Sequence, residues 1–473
     1  MALIRSDIAW RHPWRTILLA AATALAGCSV AMPKLEPPIP AQWQHAMASQ
    51  APAPTDLHGW WRTFDDPALN ALVDRALAHN LDVAEAVERV RAARAIQQHS
   101  DAPYLPNVRV STDQTIDPDA SASYLMAGID ATWEFGLFGR AQGARREAQG
   151  QLDAGMADLQ AARVTLVAEV VRNWIDLRTA QRQEALLQRI ADLRSHQLDL
   201  LKIRQQLQLA PPGAVDQAAA AAAQAQAALA APRQAINEAA QQLAVLVAQN
   251  HPDPSWLQAG PQPQLGAWQL PGTPANLLRT RPDIARAEAN VLRAAGALGV
   301  AHANRFPNLG LDASILWASD LNNNHRHTSD NGLLTAGPMF DMPLFDWGLR
   351  KANETAKSHE LKASVLAYRQ AVLQGVADVE TALGTLQQQE QREQHSQQAW
   401  QALQRVDGAL QTRVKLHLDS PMALADGQVA ATQAALELAD ARASHCLAYV
   451  ALFKALGGAP LPANEAPEAG RPH

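Results

Sequence analysis

The feature of this sequence that most restricts its fold is an internal duplication. Asn80 to Leu105 aligns with Arg281 to Phe306 without a gap, at a constant separation of 201 residues. Farther along the chain, Arg163 to Leu177 aligns with Arg369 to Leu383 at a separation of 206 residues. Repeats of this kind predict two copies of one arrangement of secondary structure rather than two unrelated domains.

Each copy contains two stretches in which apolar and polar residues alternate. They cover approximately residues 108–116 and 123–133 in the first copy, and 309–317 and 333–340 in the second. Alternation with a period of two predicts strands with one apolar and one polar face. We expect the apolar face to carry Ile129, Ala131, Trp133, Leu309, Leu311 and Ile315, and the polar face Asp130, Thr132, Asp312 and Ser314.

Long helices follow each pair of strands. Residues 141–208 contain no proline, and apolar residues recur there by threes and fours, as they do in 351–417. At 1.5 Å per residue, each stretch predicts roughly 100 Å of helix with a coiled-coil-like stripe. The breaks Ala210–Gly213 and Asp419–Pro421 predict the tips of two helical hairpins, and Pro232 predicts an interruption of the first return helix.

Composition excludes several classes of protein. The chain is 48% hydrophobic but only 5% aromatic, which favours helices packed through small side chains and argues against a thick aromatic core. A formal net charge of −6 does not indicate a nucleic-acid partner. The two cysteines are too few for a disulfide framework, and we expect Cys446 to be a small packing residue.

The N-terminus has the pattern of a secretion signal. Three arginines precede an apolar run, residues 17–26, that is too short to span a bilayer. The run ends in Leu25-Ala26-Gly27-Cys28, which resembles the lipobox of bacterial lipoproteins. This predicts removal of residues 1–27 and acylation of Cys28, and Ser29 implies an outer-membrane destination. The alternative is an ordinary secretion signal that contains a cysteine.

The alternating strands have the length that a membrane β-barrel needs. No segment after the signal approaches eighteen uninterrupted apolar residues, whereas strands of about nine to eleven residues suit a transmembrane barrel. Four strands cannot close a barrel, but three copies of the chain would contribute twelve. The alternative is a soluble α+β protein with two hairpins.

Five short motifs, in this order, are similar to those of one family: WWRTFDDP at 60–67, WEFGLFGR at 133–140, RTRPDI at 279–284, PLFDWG at 343–348 and KALGG at 454–458. Together with the duplication they make the chain resemble a TolC-like outer membrane efflux factor of the OprM and NodT-type lipoprotein subgroup. The resemblance departs from the family pattern at Phe135-Gly136, usually Leu-Asp, and at Val414 and His417, where the family favours tyrosine and glycine.

The resemblance implies a mainly α-helical homotrimer. Its twelve-stranded β-barrel would contact outer-membrane lipids and its long coiled-coil α-barrel would extend into the periplasm. Such a duct passively conducts small molecules, such as drugs or toxic compounds, that an inner-membrane pump and a periplasmic adaptor deliver. It also implies no catalytic activity and no cofactor.

The pattern predicts five segments along the chain. They are a lipoprotein signal peptide at 1–27, a lipid-anchored linker at 28–60, a first repeat at 61–260, a second repeat at 261–458 and a disordered tail at 459–473.

Two other classes of function compete with the duct. An enzyme would need a catalytic or metal-binding pattern, but the fifteen histidines show no metal spacing, and His325 and His327 lie in a polar loop. A periplasmic adaptor would also be lipidated and helical, but it has one helical hairpin where this chain has two.

The helix breaks suggest a gate at the periplasmic end. Asp419 matches by position an acidic residue at the constriction of related ducts, and Asp216 lies just past the other tip. Three chains would bring such carboxylates together in a ring. We expect Arg413 to pair with a neighbouring chain's carboxylate and hold the ring shut. The alternative is that Asp419 only caps the return helix.

Overall fold

The computed structural model describes residues 30–35, 39–45, 54–115, 124–270, 272–320 and 333–461, which form two compact units. The first contains residues 30–35, Arg89–Met156 and Arg286–Gln370 where described, and the second contains the remainder. The predicted signal peptide, Cys28, the residues that connect the first two predicted strands, both loop histidines and residues 462–473 of the predicted tail lie outside the described residues.

The first unit contains an antiparallel sheet in the order β1-β2-β3-β4. The strands are β1 Asn107–Thr115, β2 Tyr124–Glu134, β3 Asn308–Asp320 and β4 Leu333–Asp341. All four confirm the strands predicted from alternation, and β3 extends three residues beyond the predicted end at residue 317. A Pro-Asn pair marks the start of β1 and of β3, where proline is tolerated because it donates no hydrogen bond to the sheet.

The helices account for most of the remaining described residues. They are α1 Pro67–His79, α2 Leu81–Gln98, α3 Arg140–Gln206, α4 Ala214–Ala227, α5 Ala230–Leu246, α6 Pro274–Arg279, α7 Pro282–Ala303, α8 Leu349–Lys415 and α9 Pro421–Ala455. Two short 3-10 helices cover Trp60–Phe64 and Ala102–Tyr104. Pro232 lies in the first turn of α5, so the predicted interruption of the first return helix is confirmed. None of the helices in the described ranges combines the length and the apolar composition that crossing a membrane requires.

The two long helices correct the register of the duplication. Both α3 and α8 contain 67 residues, and their first residues, Arg140 and Leu349, are separated by 209 positions. The separation of 206 inferred from the sequence is therefore wrong for this part of the chain. A shift of three residues is nearly one helical turn of 3.6, so an apolar stripe matches itself almost equally well in either register.

Left-handed residues after the long helices show the same 209-residue separation. Gln208 has φ 56° and His417 has φ 55°. The N–H of Leu209 bonds to the carbonyl of Arg204 at 2.7 Å, and that of Leu418 to the carbonyl of Arg413 at 2.9 Å. This is the Schellman arrangement, which normally favours glycine. His417 therefore adopts a left-handed conformation at the position where the resemblance implies glycine.

Glycines allow a close helix crossing in the first unit. A Cβ added at Gly150 of α3 would lie 2.5 Å from the backbone nitrogen of Arg293 in α7. A Cβ added at Gly296 of α7 would lie 2.4 Å from the backbone nitrogen of Glu147. Side chains at these positions would force the helices apart, so the glycines set the spacing between α3 and α7.

An aromatic cluster forms the core of the second unit. Trp60 stacks on Phe453 with ring centroids 5.5 Å apart, and Tyr449 packs edge-on against Phe64 and Trp268. The indole N–H of Trp60 donates to the carbonyl of Gly458 at 3.0 Å. The expectation that the chain lacks a thick aromatic core is therefore wrong for the second unit, because the few large rings are concentrated there.

This core also corrects two predicted segment boundaries. Trp60, assigned to the linker at 28–60, is fully buried and opens a 3-10 helix that continues to Phe64. Ala459, assigned to the disordered tail, is also fully buried, and its carbonyl oxygen lies 2.7 Å from the Nδ1 of His58. Packing between residues that are distant in sequence therefore moves both boundaries.

Candidate functional site

The sheet separates apolar from polar side chains as the alternation predicts. Across β2 and β3, Ile129 lies opposite Ile315 and Trp133 opposite Leu311. On the other face, Asp130 lies opposite Ser314 and Thr132 opposite Asp312. Because residues directly opposite each other share a face, the predicted grouping of these residues is confirmed.

Charges on the polar face are partly compensated within the sheet. The hydroxyl of Ser111 donates to the carboxylate of Asp130 at 2.6 Å, and the Nε of Arg109 lies 3.6 Å from the same carboxylate. Such a face suits contact with water, whereas the opposite face presents exposed valine, isoleucine, leucine and tryptophan side chains.

Aromatic residues cluster where β2 leads into α3. The rings of Trp133 and Phe135 meet edge to face at 5.0 Å, and the Trp133 indole N–H donates to the carbonyl of Tyr104 at 3.0 Å. Gly136 has φ +58°, and a Cβ there would lie 2.7 Å from the Tyr104 ring. The departure from the family pattern at Phe135-Gly136 therefore forms a turn that needs glycine.

At the second hairpin tip, the structure brings two of the predicted gate residues together. The Nε of Arg413 lies 2.5 Å from the Oδ2 of Asp419 in the same chain. This hydrogen bond is the main reason that the pKa of Arg413 is raised above its usual value. Arg413 was predicted to pair with a neighbouring chain's carboxylate, whereas the described pair lies within one chain.

The N-cap of the second return helix, α9, is Ser420 and not Asp419. The side chain of Ser420 accepts a hydrogen bond from the backbone N–H of Ala423 at 3.1 Å and is the N-cap of α9. The alternative that Asp419 serves as this cap is therefore wrong. Asp419 is left to pair with Arg413.

The first tip is built differently. Asp216 lies in the first turn of α4 and is exposed, and it takes no part in the Arg413–Asp419 pair. Gly213, with φ +75°, precedes α4 without a capping side chain. At the 209-residue separation, Ala210 occupies the position that Asp419 has in the second copy.

Exposed leucines at both tips were not singled out from the sequence. Each long helix ends in a leucine pair that flanks the left-handed residue, Leu207 and Leu209 in the first copy and Leu416 and Leu418 in the second. All four side chains are more than 60% exposed. The available signal was the Leu-x-Leu triplet that recurs after 209 residues.

Two of the histidines in the described ranges contact a glutamate on a neighbouring helix. His302 and Arg305 both contact Glu354, and His445 and Arg442 both contact Glu393. Within those ranges, no three histidine, cysteine or acidic side chains are grouped to hold a metal ion. Cys446 is buried and unpaired, and burial raises the pKa of its thiol to about 12. Cys446 is thus the packing residue that was predicted.

The fold and the two-faced sheet define a class of protein: the outer-membrane channels that combine long helices with four strands per chain. The open-state MtrE channel of Neisseria gonorrhoeae has this fold, with a TM-score of 0.78 and 25% identity over 91% of this chain and 98% of that one. The predicted mainly helical fold class is therefore confirmed.

Sequence comparisons give the family. The model of the outer membrane efflux protein family matches residues 72–249 and 273–458. The pyoverdine export outer membrane protein OpmQ of Pseudomonas aeruginosa is 29% identical over 93% of this chain and 96% of its own. Nodulation protein T of Rhizobium leguminosarum bv. viciae is 30% identical over 74% of this chain and 73% of its own. The chain belongs to the outer membrane efflux protein family, and it is an outer-membrane efflux channel.

Proposed function

We propose that three copies of this chain form a passive exit duct for small molecules, drugs or toxic compounds among them. An inner-membrane pump and a periplasmic adaptor deliver the cargo, and the duct itself catalyses no reaction. The observation that carries this proposal is the four-stranded sheet with one apolar and one polar face. The name of the relative OpmQ, a pyoverdine export protein, agrees with a small organic cargo.

The geometry of the sheet supports three copies. Strands β1 and β4 are the edges of the sheet, and a membrane sheet with open edges would leave backbone groups unsatisfied in lipid. Twelve strands from three chains close the sheet, with the apolar face toward lipid and the polar face toward a water-filled lumen.

Cysteine accessibility tests which face meets water. Leu311→Cys and Asp312→Cys are neighbours in β3 that lie on opposite faces. In purified protein reconstituted in bilayers, a water-soluble thiol reagent should label position 312 and spare position 311. Equal labelling of both positions would overturn the assignment of the faces, and native mass measurement of the same sample tests the trimer.

The hairpin tips support docking of the adaptor. Exposed leucines at Leu207, Leu209, Leu416 and Leu418 are unusual for a surface that faces only water. In the proposed complex the adaptor covers them. Replacing Leu416 and Leu418 by serine should abolish co-purification with the adaptor and leave the trimer intact. Undiminished co-purification would place the docking site elsewhere.

The N-terminus supports a lipid anchor at Cys28. In this proposal residues 1–27 are removed and the acylated cysteine begins a linker. The carbonyl of Val30, two residues later, accepts a hydrogen bond from Arg146 at 2.6 Å. Cys28→Ala should abolish labelling by fatty acid yet leave part of the protein in the membrane, because the barrel also anchors it. Intact mass of the wild-type chain showing an unmodified cysteine would exclude acylation.

The proposed gate lies at the helix tips, where three chains place three Asp419 carboxylates around the axis. A ring of carboxylates attracts cations and hinders anions. Arg413 holds each Asp419 through the intrachain pair and thereby fixes the second tip. Asp216 contributes a second, more weakly held acidic ring.

A further inference from the structure

An aromatic contact joins two segments of this chain, but the equivalent residues of the duplication do not form such a contact within the chain. Phe138, just before α3, stacks on Phe306 with ring centroids 5.0 Å apart and planes 17° apart. The 209-residue separation relates Phe138 to Trp347, and the 201-residue separation relates Phe306 to Leu105. Trp347 is 90% exposed and Leu105 is 57% exposed. The second contact therefore needs another copy of the chain.

The same two separations relate the edges of the sheet. Within the chain, Ala131 of β2 pairs with Ala313 of β3, and Thr132 with Asp312. Shifting the β2 residues forward by 209 and the β3 residues back by 201 gives two new pairs. They are Phe340 of β4 with Thr112 of β1, and Asp341 with Ser111.

The faces of the sheet provide an independent check on these pairs. Phe340 lies opposite Leu309 on the apolar face, and Thr112 lies opposite Ala127, two residues from Ile129 on that same face. Ser111 lies on the polar face, where its hydroxyl bonds Asp130. A register changed by one residue would place Phe340 beside a polar-face residue, so the derived register keeps both faces continuous.

We propose that β4 of one copy pairs antiparallel with β1 of the next, with Phe340 opposite Thr112 and Asp341 opposite Ser111. In the same seam, Trp347 packs against Leu105 of that next copy. This inference rests on the proposed trimeric channel and adds the register in which its chains join. Pairing of the exposed edges also satisfies the backbone groups that a single chain leaves open.

Helices contribute less to this seam than they do within the chain. The counterparts of Gly143 and Gly150 in α8 are Ala352 and His359, and the counterpart of Gly296 in α2 is Ala95. These larger side chains prevent the close crossing that the glycines allow between α3 and α7. The strands and the aromatic junction therefore hold the seam.

Disulfide cross-linking tests the register in a Cys446→Ala background. Directly opposed strand residues are close enough for a disulfide. Phe340→Cys with Thr112→Cys should give covalent trimers on non-reducing gels, whereas the matched intrachain pair Ala131→Cys with Ala313→Cys should give only monomers. Phe340→Cys with Val108→Cys, displaced by about 13 Å along the strand, should not cross-link.

The outcomes separate this inference from the function on which it rests. The protein could be a trimer by native mass and yet cross-link through positions 340 and 108, and not through 340 and 112. That result would overturn the register but not the proposed trimeric channel. A monomer by native mass would overturn both.

A double-mutant cycle tests the aromatic contact. Trp347→Ala and Leu105→Ala should each lower the temperature at which the trimer dissociates in detergent, and the double variant should lower it little further. Trp347→Phe should retain most of the wild-type resistance. Fully additive losses would exclude the contact between Trp347 and Leu105.

Discussion

The two long helices of this chain have the same length and end in the same backbone arrangement, but the polar contacts at the two hairpin tips differ. Both α3 and α8 contain 67 residues and end in a Schellman arrangement with a non-glycine left-handed residue. Arg204 and Arg413 occupy equivalent positions, but only Arg413 has an aspartate partner, because Ala210 stands where Asp419 would be. Duplication preserved the geometry, whereas single side chains distinguish the second tip.

An ion pair between long and return helix occurs in both copies. Arg233 contacts Glu184 at 2.8 Å, and the equivalent Arg442 contacts Glu393 at 3.3 Å. The second copy adds His445, whose position is occupied by Ile236 in the first. The second hairpin thus carries an additional titratable contact. We therefore expect substitutions in the second hairpin to change conductance and pH-dependent stability more than equivalent substitutions in the first.

The largest expected effect comes from removing the tip ion pair. Asp419→Ala should raise the resting conductance of trimers in planar bilayers several-fold and weaken block by divalent cations, because each of three chains loses its pair. Asp216→Ala should change conductance much less. Ala210→Asp should give the first tip an equivalent pair and lower resting conductance. Unchanged conductance and cation block in Asp419→Ala would exclude the gate.

Removing the cap of the second return helix should have a moderate effect. Ser420→Ala removes the hydrogen bond to the N–H of Ala423 and should destabilise the start of α9 by about 1 kcal/mol. Pro211→Ala, the equivalent change in the first copy, removes no cap. Amide hydrogen exchange of residues 422–425 should accelerate in Ser420→Ala, and exchange at the first tip should stay unchanged in Pro211→Ala. Acceleration at both tips would show that the tips are not independent.

Replacing the left-handed residue at either tip by glycine should stabilise the protein, and the two substitutions should have equal effects. His417→Gly and Gln208→Gly should each stabilise the protein by roughly 0.5–1 kcal/mol, since glycine adopts positive φ without steric cost. Thermal unfolding in detergent measures both variants. A stabilised Gln208 variant beside a destabilised His417 variant would reveal a contact of the imidazole that offsets its strain.

The smallest expected effect concerns pH. The hydrogen bond from His445 is the first cause of a lowered pKa at Glu393, with Arg442 contributing. A depressed carboxyl pKa stabilises the fold above the unfolded value, about 4.3, and this contribution is lost as pH falls through the folded value. His445→Ile should therefore be less stable than wild type above about pH 4.3, and the two melting temperatures should converge as pH falls through the folded pKa of Glu393. Ile236→Leu, a control without charge, should melt with the wild-type pH profile.

Much of the fold could be predicted from local patterns. Alternation located all four strands to within a few residues, and the absence of proline located both long helices. Tip positions followed from the proline-containing breaks. The faces of the sheet were also predictable, because a period of two assigns every residue of a strand to a side.

The candidate site was predictable only in part. Asp419 and Arg413 were singled out, but which chain supplies the partner depends on the turn between α8 and α9. The exposed leucines were missed because exposure depends on what else packs against them.

The sequence by itself determined the duplication, the elements of each copy and the residues of each face, since these depend on periods and breaks along the chain. Tertiary structure decided the 209-residue register, because neighbouring turns of a helix present almost the same stripe. It also decided that Ser420 caps α9 and that Arg413 pairs with Asp419. Trp60 and Ala459 belong to the core for the same reason: their partners lie hundreds of residues away, and only packing brings them together.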